Sequence, residues 1–331
     1  MKFLSVIIPS YNSELYLARC LDSLVFDTET LPLLDIIIVN DGSSDHTINI
    51  AKQYQKRFKN SIQVVDKPNG GHGSTINAGL KVAKGKYVKI LDSDDWFNIF
   101  DFPKLIESLG DEDVDIVVTN YTREILYEKS ERQFIFSTSP TREIFDLSDA
   151  VSEIDRPDFF FKFSMPAMTI RTDALRRVWG DGLLEKTFYV DQQFVAKVLE
   201  CSKTYAVYPF DIYRHFIGRP DQSISSNGFF RHRKDHERVL KNLLSTYGNI
   251  KDSAVKIILK KQIALMINTH YNIYLNYPEL TKTELKELTT FDKFIKVNYP
   301  EFSTPSRELT QKLRSPHFII KNLIKRNTRN A

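Results

Sequence analysis

Three carboxylates in Ile90-Leu-Asp-Ser-Asp-Asp-Trp96 are the residues of this chain best placed to do chemistry. The apolar run 87–91 ends abruptly at Asp92, Asp94 and Asp95, with Trp96 and Phe97 behind them. β-branched and aromatic residues next to a Gly predict a buried strand. Acids at the end of such a strand fall at the carboxyl edge of a sheet, where open α/β folds hold their ligands. Carboxylates this close repel one another unless a cation or strong donors neutralise them. Oxygen-only ligands suit a hard ion such as Mn²⁺ or Mg²⁺, and such an ion suits a diphosphate. The same acids could equally be a solvated turn with helix-capping Asp residues. An EF-hand calcium loop is excluded, because Phe97 stands where that loop needs Gly.

The elements before this stretch must position it. Residues 3–9 predict a first strand stopped by Pro9, and 10–13 a loop. Asn12 or Ser13 can then cap an amphipathic helix from 14 to about 24. Residues 35–40 form a second, wholly apolar strand running into Asp41-Gly-Ser-Ser-Asp45, where Asp45 caps a helix to about 58. A third strand spans 62–66. The long turn 67–73 follows, and Ser74 or Thr75 opens a helix to about 83. Strands alternating with helices on short loops imply a parallel sheet covered on both faces. No GxGxxG follows the first strand and no GxxxxGK[ST] occurs, which argues against ordinary dinucleotide and P-loop chemistry.

Beyond Trp96 the pattern predicts a helix near 103–109, a strand at 116–120 and a polar region at 121–155 able to pair as antiparallel strands. Buried segments follow at 159–163 and 167–170, with a helix at 171–179. Phe188-Tyr-Val-Asp191 leads into another helix, 204–208 is a short strand, and 213–225 reads as a loop. From 229 the chain reads helical, at 234–247, 253–275 and 282–297, ending in a basic amphipathic tail at 316–326. The expected domains are 1–228 and a helical region 229–331. The 331 residues, 42% hydrophobic and 27% charged with a formal charge of +4, are ordinary for a soluble globular protein. Cys20 and Cys201 lie in apolar helical patterns and read as small buried hydrophobes of a reducing compartment. No signal h-region and no run of about 18 apolar residues is present, so the expected location is cytoplasmic.

Four signatures stand in order: Val6-Ile-Ile-Pro-Ser-Tyr-Asn12, Val39-Asn-Asp-Gly-Ser-Ser-Asp45, Asn77-Ala-Gly-Leu-Lys-Val-Ala-Lys-Gly-Lys-Tyr87 and Leu91-Asp-Ser-Asp-Asp-Trp96. Together they resemble the family-2 inverting glycosyltransferases of the GT-A fold, of the bacterial cell-surface polysaccharide type. The likeness runs from residue 3 to about 225. It implies a mixed, mostly parallel α/β sheet flanked by helices, here with a C-terminal helical extension.

The resemblance also implies roles. Pro9 and Tyr11 would pack on the base of a nucleotide, with Asn12 in the same loop, and Asp41 would accept from base or ribose. Asp66 would face the base, and Asn69 and Gly71 would line the diphosphate or sugar, with His72 a further donor contact. Asp92 and Asp94 match the DxD element: Asp94 holds the Mn²⁺ or Mg²⁺, and Asp92 reaches the ribose or the metal's shell. Asp191 fills the place of the general base, with capping of its helix as the alternative. Residues 213–223 resemble a loop that closes over the diphosphate, with Arg214, Arg219, Gln222 and Ser223 as phosphate contacts and His215 as a further metal ligand.

The implied activity is metal-dependent, inverting transfer of a hexosyl or N-acetylhexosaminyl group from a UDP-sugar to a hydroxyl of a glycan or polyprenyl-linked glycan. No nucleic-acid partner is implied. The basic tail suits contact with the inner face of the plasma membrane, and the C-terminal helices suit oligomer contacts. Two other classes remain: a sugar-1-phosphate nucleotidylyltransferase and a non-catalytic sugar-nucleotide-binding assembly subunit. The first usually has a Gly-rich loop bearing Arg and Lys after its first strand, where this chain has Ser10-Tyr-Asn-Ser13.

Overall fold

A computed structural model describes residues 1–125, 130–137, 139, 141–218, 226–276 and 280–303. The chain divides into two compact units, Met1–Gln222 with Gly248–Ile258, and Ser223–Tyr247 with Leu259–Ala331.

The first unit is built on one sheet, with ten strands among the described residues. It opens with β1 (Leu4–Ser10), α1 (Leu17–Val25), β2 (Leu34–Asp41), α2 (Thr47–Arg57), β3 (Ile62–Lys67), α3 (His72–Val82) and β4 (Tyr87–Ile90). β3, β2, β1 and β4 lie side by side in that order, all parallel. Every residue of β1 and β2 is buried, as central strands between two helical layers are, and the polar exceptions Ser5 and Asp35 bond each other. α3 packs on both strands, and α1 buries Leu17, Cys20, Leu21 and Leu24, spaced to fill one helical face.

The sheet continues through β5 (Trp96–Phe97), α4 (Phe102–Asp111), β6 (Ile116–Ile125), β7 (Ser130–Phe134), β8 (Glu143–Asp146), α5 (Phe159–Lys162), β9 (Met168–Arg171), α6 (Thr172–Val178), α7 (Val190–Cys201) and β10 (Thr204–Ile217). β9 lies between β4 and β6, antiparallel to both, so the sheet is mixed but mostly parallel. β6 pairs with β10 in parallel, and β7 and β8 add antiparallel strands to them.

Several boundaries move. Pro9 does not stop β1, which pairs through Ser10. α1 starts at Leu17 with no side-chain cap, because Asn12, at φ +48°, turns its side chain to the loop after β2. α3 starts at His72, ahead of Ser74. The expected loop at 213–225 is corrected in its first part: Tyr213–Ile217 completes β10, in register with Tyr121–Ile125. Pro209 offers no N–H to the ladder, and the register shifts between Tyr208 and Tyr213; beyond that bulge the strand resumes.

In the second unit, α8 (Ser226–Arg231) and α9 (Arg233–Asn249) are followed by α10 (Ser253–Leu275), whose later part belongs here, and α11 (Lys282–Asn298). Leu243, Ile267 and Phe291 lie in its core. Thr281 and Glu284 form a reciprocal capping box on α11. The C-terminal helices are therefore present as expected, while the tail at 316–326 falls outside the described residues. Among the described residues no helix is long and apolar enough to cross a membrane.

Candidate functional site

The strand order β3-β2-β1-β4 reverses the direction of progression at β1. The carboxyl ends of β1 and β4 therefore flank a topological switch point, the place where open α/β sheets bind ligands. Four loops gather at that edge. The Ser10–Asn12 loop is tied to the turn after β2, since Asn12 Oδ1 accepts from Ser44 N at 2.9 Å. It is also tied to the acid loop, through Ser13 Oγ and Ser93 Oγ at 2.6 Å. Pro9 is buried within β1, whereas Tyr11 is 54% exposed and presents its ring at the rim.

Asp41 ends β2 and is buried. Its Oδ1 accepts from Lys67 Nζ at 2.6 Å and Gly70 N at 2.9 Å, and its Oδ2 from Gly71 N at 2.8 Å. These bonds fold the Gly-rich turn that precedes α3. Gly71, at φ +80°, allows that turn, and Asn69 Nδ2 closes it on Asp41 O at 3.0 Å. Asp66 is exposed at the end of β3 and accepts from Asn40 Nδ2 at 2.7 Å.

The turn delivers His72 to the acid loop, with Nε2 2.9 Å from Asp92 Oδ1. Burial, the largest single influence, lowers the His72 pKa, but Asp92, Asp191 and Asp94 together outweigh it and raise the pKa. That mutual influence brings His72, Asp92, Asp94 and Asp191 into one electrostatic neighbourhood. Asp191 lies in the first turn of α7, whose N-cap position is taken by Tyr189 at φ +65°. It is half-buried, and Gln192 Nε2 donates to its Oδ2 at 2.9 Å. Desolvation raises its pKa, against the opposing pull of Gln192 and His72.

Asp95 differs from its neighbours. It is buried, and its two oxygens accept from Tyr213 Oη at 2.6 Å and Phe216 N at 2.7 Å. Desolvation, and then Asp94 and Asp92, push its pKa well above the usual carboxylate range. Asp95 thereby latches the end of β10 to the acid loop. Arg19 supports the same loop, donating to Asp94 O at 2.7 Å with its guanidinium 3.9 Å from the Trp96 ring.

Arg214 is engaged with Asp211 at 2.9 Å and with Glu124 at 3.5 Å. His215 is largely buried, its Nδ1 has no hydrogen-bond partner among the described residues, and burial followed by Arg123 lowers its pKa to about 4. Arg219, Gln222 and Ser223 lie outside the described residues.

Among the described residues no three His, Cys, Asp or Glu side chains converge as a ready-made metal site. The donor set the chain offers is Asp92 and Asp94, with one residue between them, beside the buried Asp95, whose pKa is raised by desolvation first and then by these two acids. One or two carboxylates completed by substrate phosphates is how Mg²⁺-type ions are commonly held, so these residues fit a hard divalent cation.

The sequence did not single out Lys67, Arg19 or Lys89. Lys89 sits inside what reads as an apolar strand. It is fully buried, donates to Pro166 O at 2.7 Å and Met168 O at 3.0 Å, and burial lowers its pKa to about 7. Tyr213 falls in the expected loop, and the only sequence signal for a strand there is its apolar neighbour Ile212, buried beside it.

A parallel-led mixed sheet with an acid loop at its switch point is the architecture of the GT-A nucleotide-sugar transferases. S. aureus TarS 1–349, solved in complex with UDP-GlcNAc, shares the fold with a TM-score of 0.65 at 21% identity, over 89% of this chain and 81% of that one. The Pyrobaculum calidifontis mannosyltransferase PcManGT, solved with GDP-Man and Mn²⁺, gives 0.53 at 15% identity, over 97% and 86%. Residues 5–166 match the glycosyl transferase family 2 profile, so this stretch is a domain of that family. The putative glycosyltransferase EpsH of Bacillus subtilis (strain 168) is 38% identical over 120 residues, covering 36% of this chain and 34% of EpsH. The chain spans about a third of the length of curated relatives such as this one.

Proposed function

We propose that the chain is a metal-dependent inverting glycosyltransferase that moves a hexosyl or N-acetylhexosaminyl group from a UDP-sugar to a hydroxyl of a glycan or lipid-linked glycan. The observation that carries this reading is His72, bonded to Asp92 and within electrostatic range of both Asp94 and Asp191. It draws the acids proposed for the donor and the acid proposed as base into one site. The UDP-GlcNAc bound to TarS supports the donor class, and the Mn²⁺ bound to PcManGT supports the cofactor.

Asp92 and Asp94 would hold Mn²⁺ or Mg²⁺, with His215 as the third candidate ligand. When bound, the ion neutralises the diphosphate and the charge that develops on departing UDP. Tyr11 and Pro9 cover the base, with Asn12 and Asp66 beside it. Asp41 shapes the turn that presents Asn69 and Gly71 to the diphosphate. Asp191 takes the acceptor's hydroxyl proton as the acceptor oxygen attacks the anomeric carbon and the bond to UDP breaks on the opposite face. A carboxylate with a raised pKa is a stronger base for that step. Arg219, Gln222 and Ser223 serve the phosphates, Arg214 being held instead by Asp211 and Glu124 on the other face of β10, and residues 1–228 carry the reaction. Residues 229–331 provide contacts to acceptor, membrane surface or a second copy, at the cytoplasmic side.

The test is UDP release by the full chain from a panel of UDP-sugars with Mn²⁺. Release should stop with a chelator and in Asp94→Asn. Tight UDP-sugar binding with no turnover on any acceptor would favour a binding subunit. Pyrophosphate release from a nucleoside triphosphate would favour a nucleotidylyltransferase.

A further inference from the structure

The reaction proposed above leaves one charged group on the same face of the sheet without a task. β7 pairs with β6 so that Arg132 stands opposite Arg123, and β10 pairs with β6 so that His215 stands beside Arg123. Residues in register share a face of the sheet, so the three side chains form a row across three strands. Tyr213, two positions before His215 and on that same face, touches Asp95 and the backbone of Asp92. The row therefore begins at the acid loop and runs outward to β7. With strands spaced about 4.8 Å apart, Arg132 stands roughly 10 Å beyond His215.

Two arginines directly opposite each other repel. Among the described residues no ion pair joins either of them to a carboxylate. The acids of this hairpin among the described residues, Glu124 and Glu131, face the other side, where Glu124 meets Arg214. Both guanidinium carbons lie over one ring, Phe134, at 4.9 Å for Arg123 and 5.1 Å for Arg132, which keeps them within about 10 Å of each other. Arg123 also lies 5.3 Å from the Phe161 ring, and its buried Nε has no hydrogen-bond partner among the described residues. Arg132 is exposed and Arg123 half-buried, so the pair can be reached from solvent. Two guanidinium forks on an aromatic floor, with no acid between them among the described residues, suit a phosphate, whose oxygens accept from both.

We propose that Arg123 and Arg132 form an anion subsite for a phosphate or phosphodiester group of the acceptor. This rests on the glycosyltransfer reading and adds to it that the acceptor carries phosphate near the hydroxyl to be glycosylated. The donor's diphosphate is the other source of the same chemistry. It belongs at Asp92 and Asp94, and the arginine pair extends two strands away from them.

The experiment titrates the full chain with a synthetic glycerol phosphate trimer by calorimetry, with UDP and Mn²⁺ saturating so that the donor site is filled. Glycerol is the uncharged control. The expected result is binding that weakens with added salt, a Kd at least tenfold higher in the double variant Arg123→Gln/Arg132→Gln, and an unchanged Kd for UDP. Arg132→Gln alone, at an exposed position, should weaken trimer binding at least threefold without disturbing the fold. No trimer binding by the wild type, equal affinity in the double variant, or equal binding of glycerol would each overturn the proposal. A weaker UDP Kd in the variants would overturn it in favour of the donor diphosphate. The readout is binding, so a failure to find sugar transfer would count against the glycosyltransfer reading and leave the arginine subsite measurable.

Discussion

His72 Nε2 lies 2.9 Å from Asp92 Oδ1 and so joins the first turn of α3 to the acid loop after β4. Burial works against the charged imidazole, but Asp92, Asp191 and Asp94 together raise its pKa. A His whose pKa is raised on folding adds stability below its unfolded value of about 6.5, and that stability fades as pH rises through the folded value. His72→Asn should therefore be less stable than the wild type at pH 6 and converge with it at pH 9. Urea unfolding across that range checks this; a gap independent of pH would mean that the ring only packs.

Asp95 accepts from two donors, Tyr213 Oη and Phe216 N. Removing its carboxylate leaves Tyr213 Oη and Phe216 N without their acceptor in a buried place. Asp95→Ala should cost about 2–4 kcal/mol, whereas Asp95→Asn, which keeps an acceptor oxygen, should cost clearly less. The folded pKa of Asp95 is raised, so ionisation is resisted in the native state. Relative to Asp95→Asn, the wild type should lose stability as pH rises above the unfolded value of about 3.9. Paired denaturation curves at pH 4 and pH 7 measure both effects.

The helical unit carries its own pH signature. His270 is fully buried, with neither ring nitrogen hydrogen-bonded among the described residues, and its ring stacks on His236 at 5.3 Å and lies 4.4 Å from Phe291. Burial first, then His236, Lys241 and Arg233, hold its pKa well below 6.5, and burial lowers that of His236 to about 4. Below pH 6.5 the unfolded chain takes up protons that the native pair refuses, so stability must fall on acidification. Each such histidine contributes up to about 1.4 kcal/mol per pH unit over that window. His270→Leu should flatten the slope of stability against pH between 6.5 and 5, whatever its effect at pH 7. A slope equal to that of the wild type would contradict the buried, neutral pair.

What the sequence disclosed follows from how local its signals are. The strand 35–40 could be placed because burial on both faces leaves the unbroken run 36–39, the strand 87–91 because its run is broken only at Lys89, and the acids behind it because the loop chemistry is contiguous. The helix at 253–275 was legible to the residue from its ends. The last third of β10 was not, since Pro209 and a polar run conceal a strand that is set by its pairing with β6 and β5. The engagement of Asp41 with Lys67 and two backbone amides depends on a turn some 30 residues away, which no spacing rule reaches. Lys89 looked like an interruption in an apolar strand. Its two carbonyl partners come from the segment leading into and starting β9, almost 80 residues later.

Asp191 allows the sharpest test of mechanism. It lies in the first turn of α7 and not at its N-cap, so capping does not account for its presence. Asp191→Asn preserves the shape and the partner Gln192 but removes the base. The expected result is a kcat lower by about 10²–10⁴-fold, the range that general-base catalysis supplies, with the Kd for UDP within twofold of the wild type. Desolvation raises the wild-type pKa, so the acid limb of the rate profile should fall off above the ordinary aspartate value of about 3.9, and that limb should vanish in the variant. Rates of UDP release measured with acceptor across pH 4–8 would show it. A variant that retains the wild-type rate and pH profile would assign proton removal to another group.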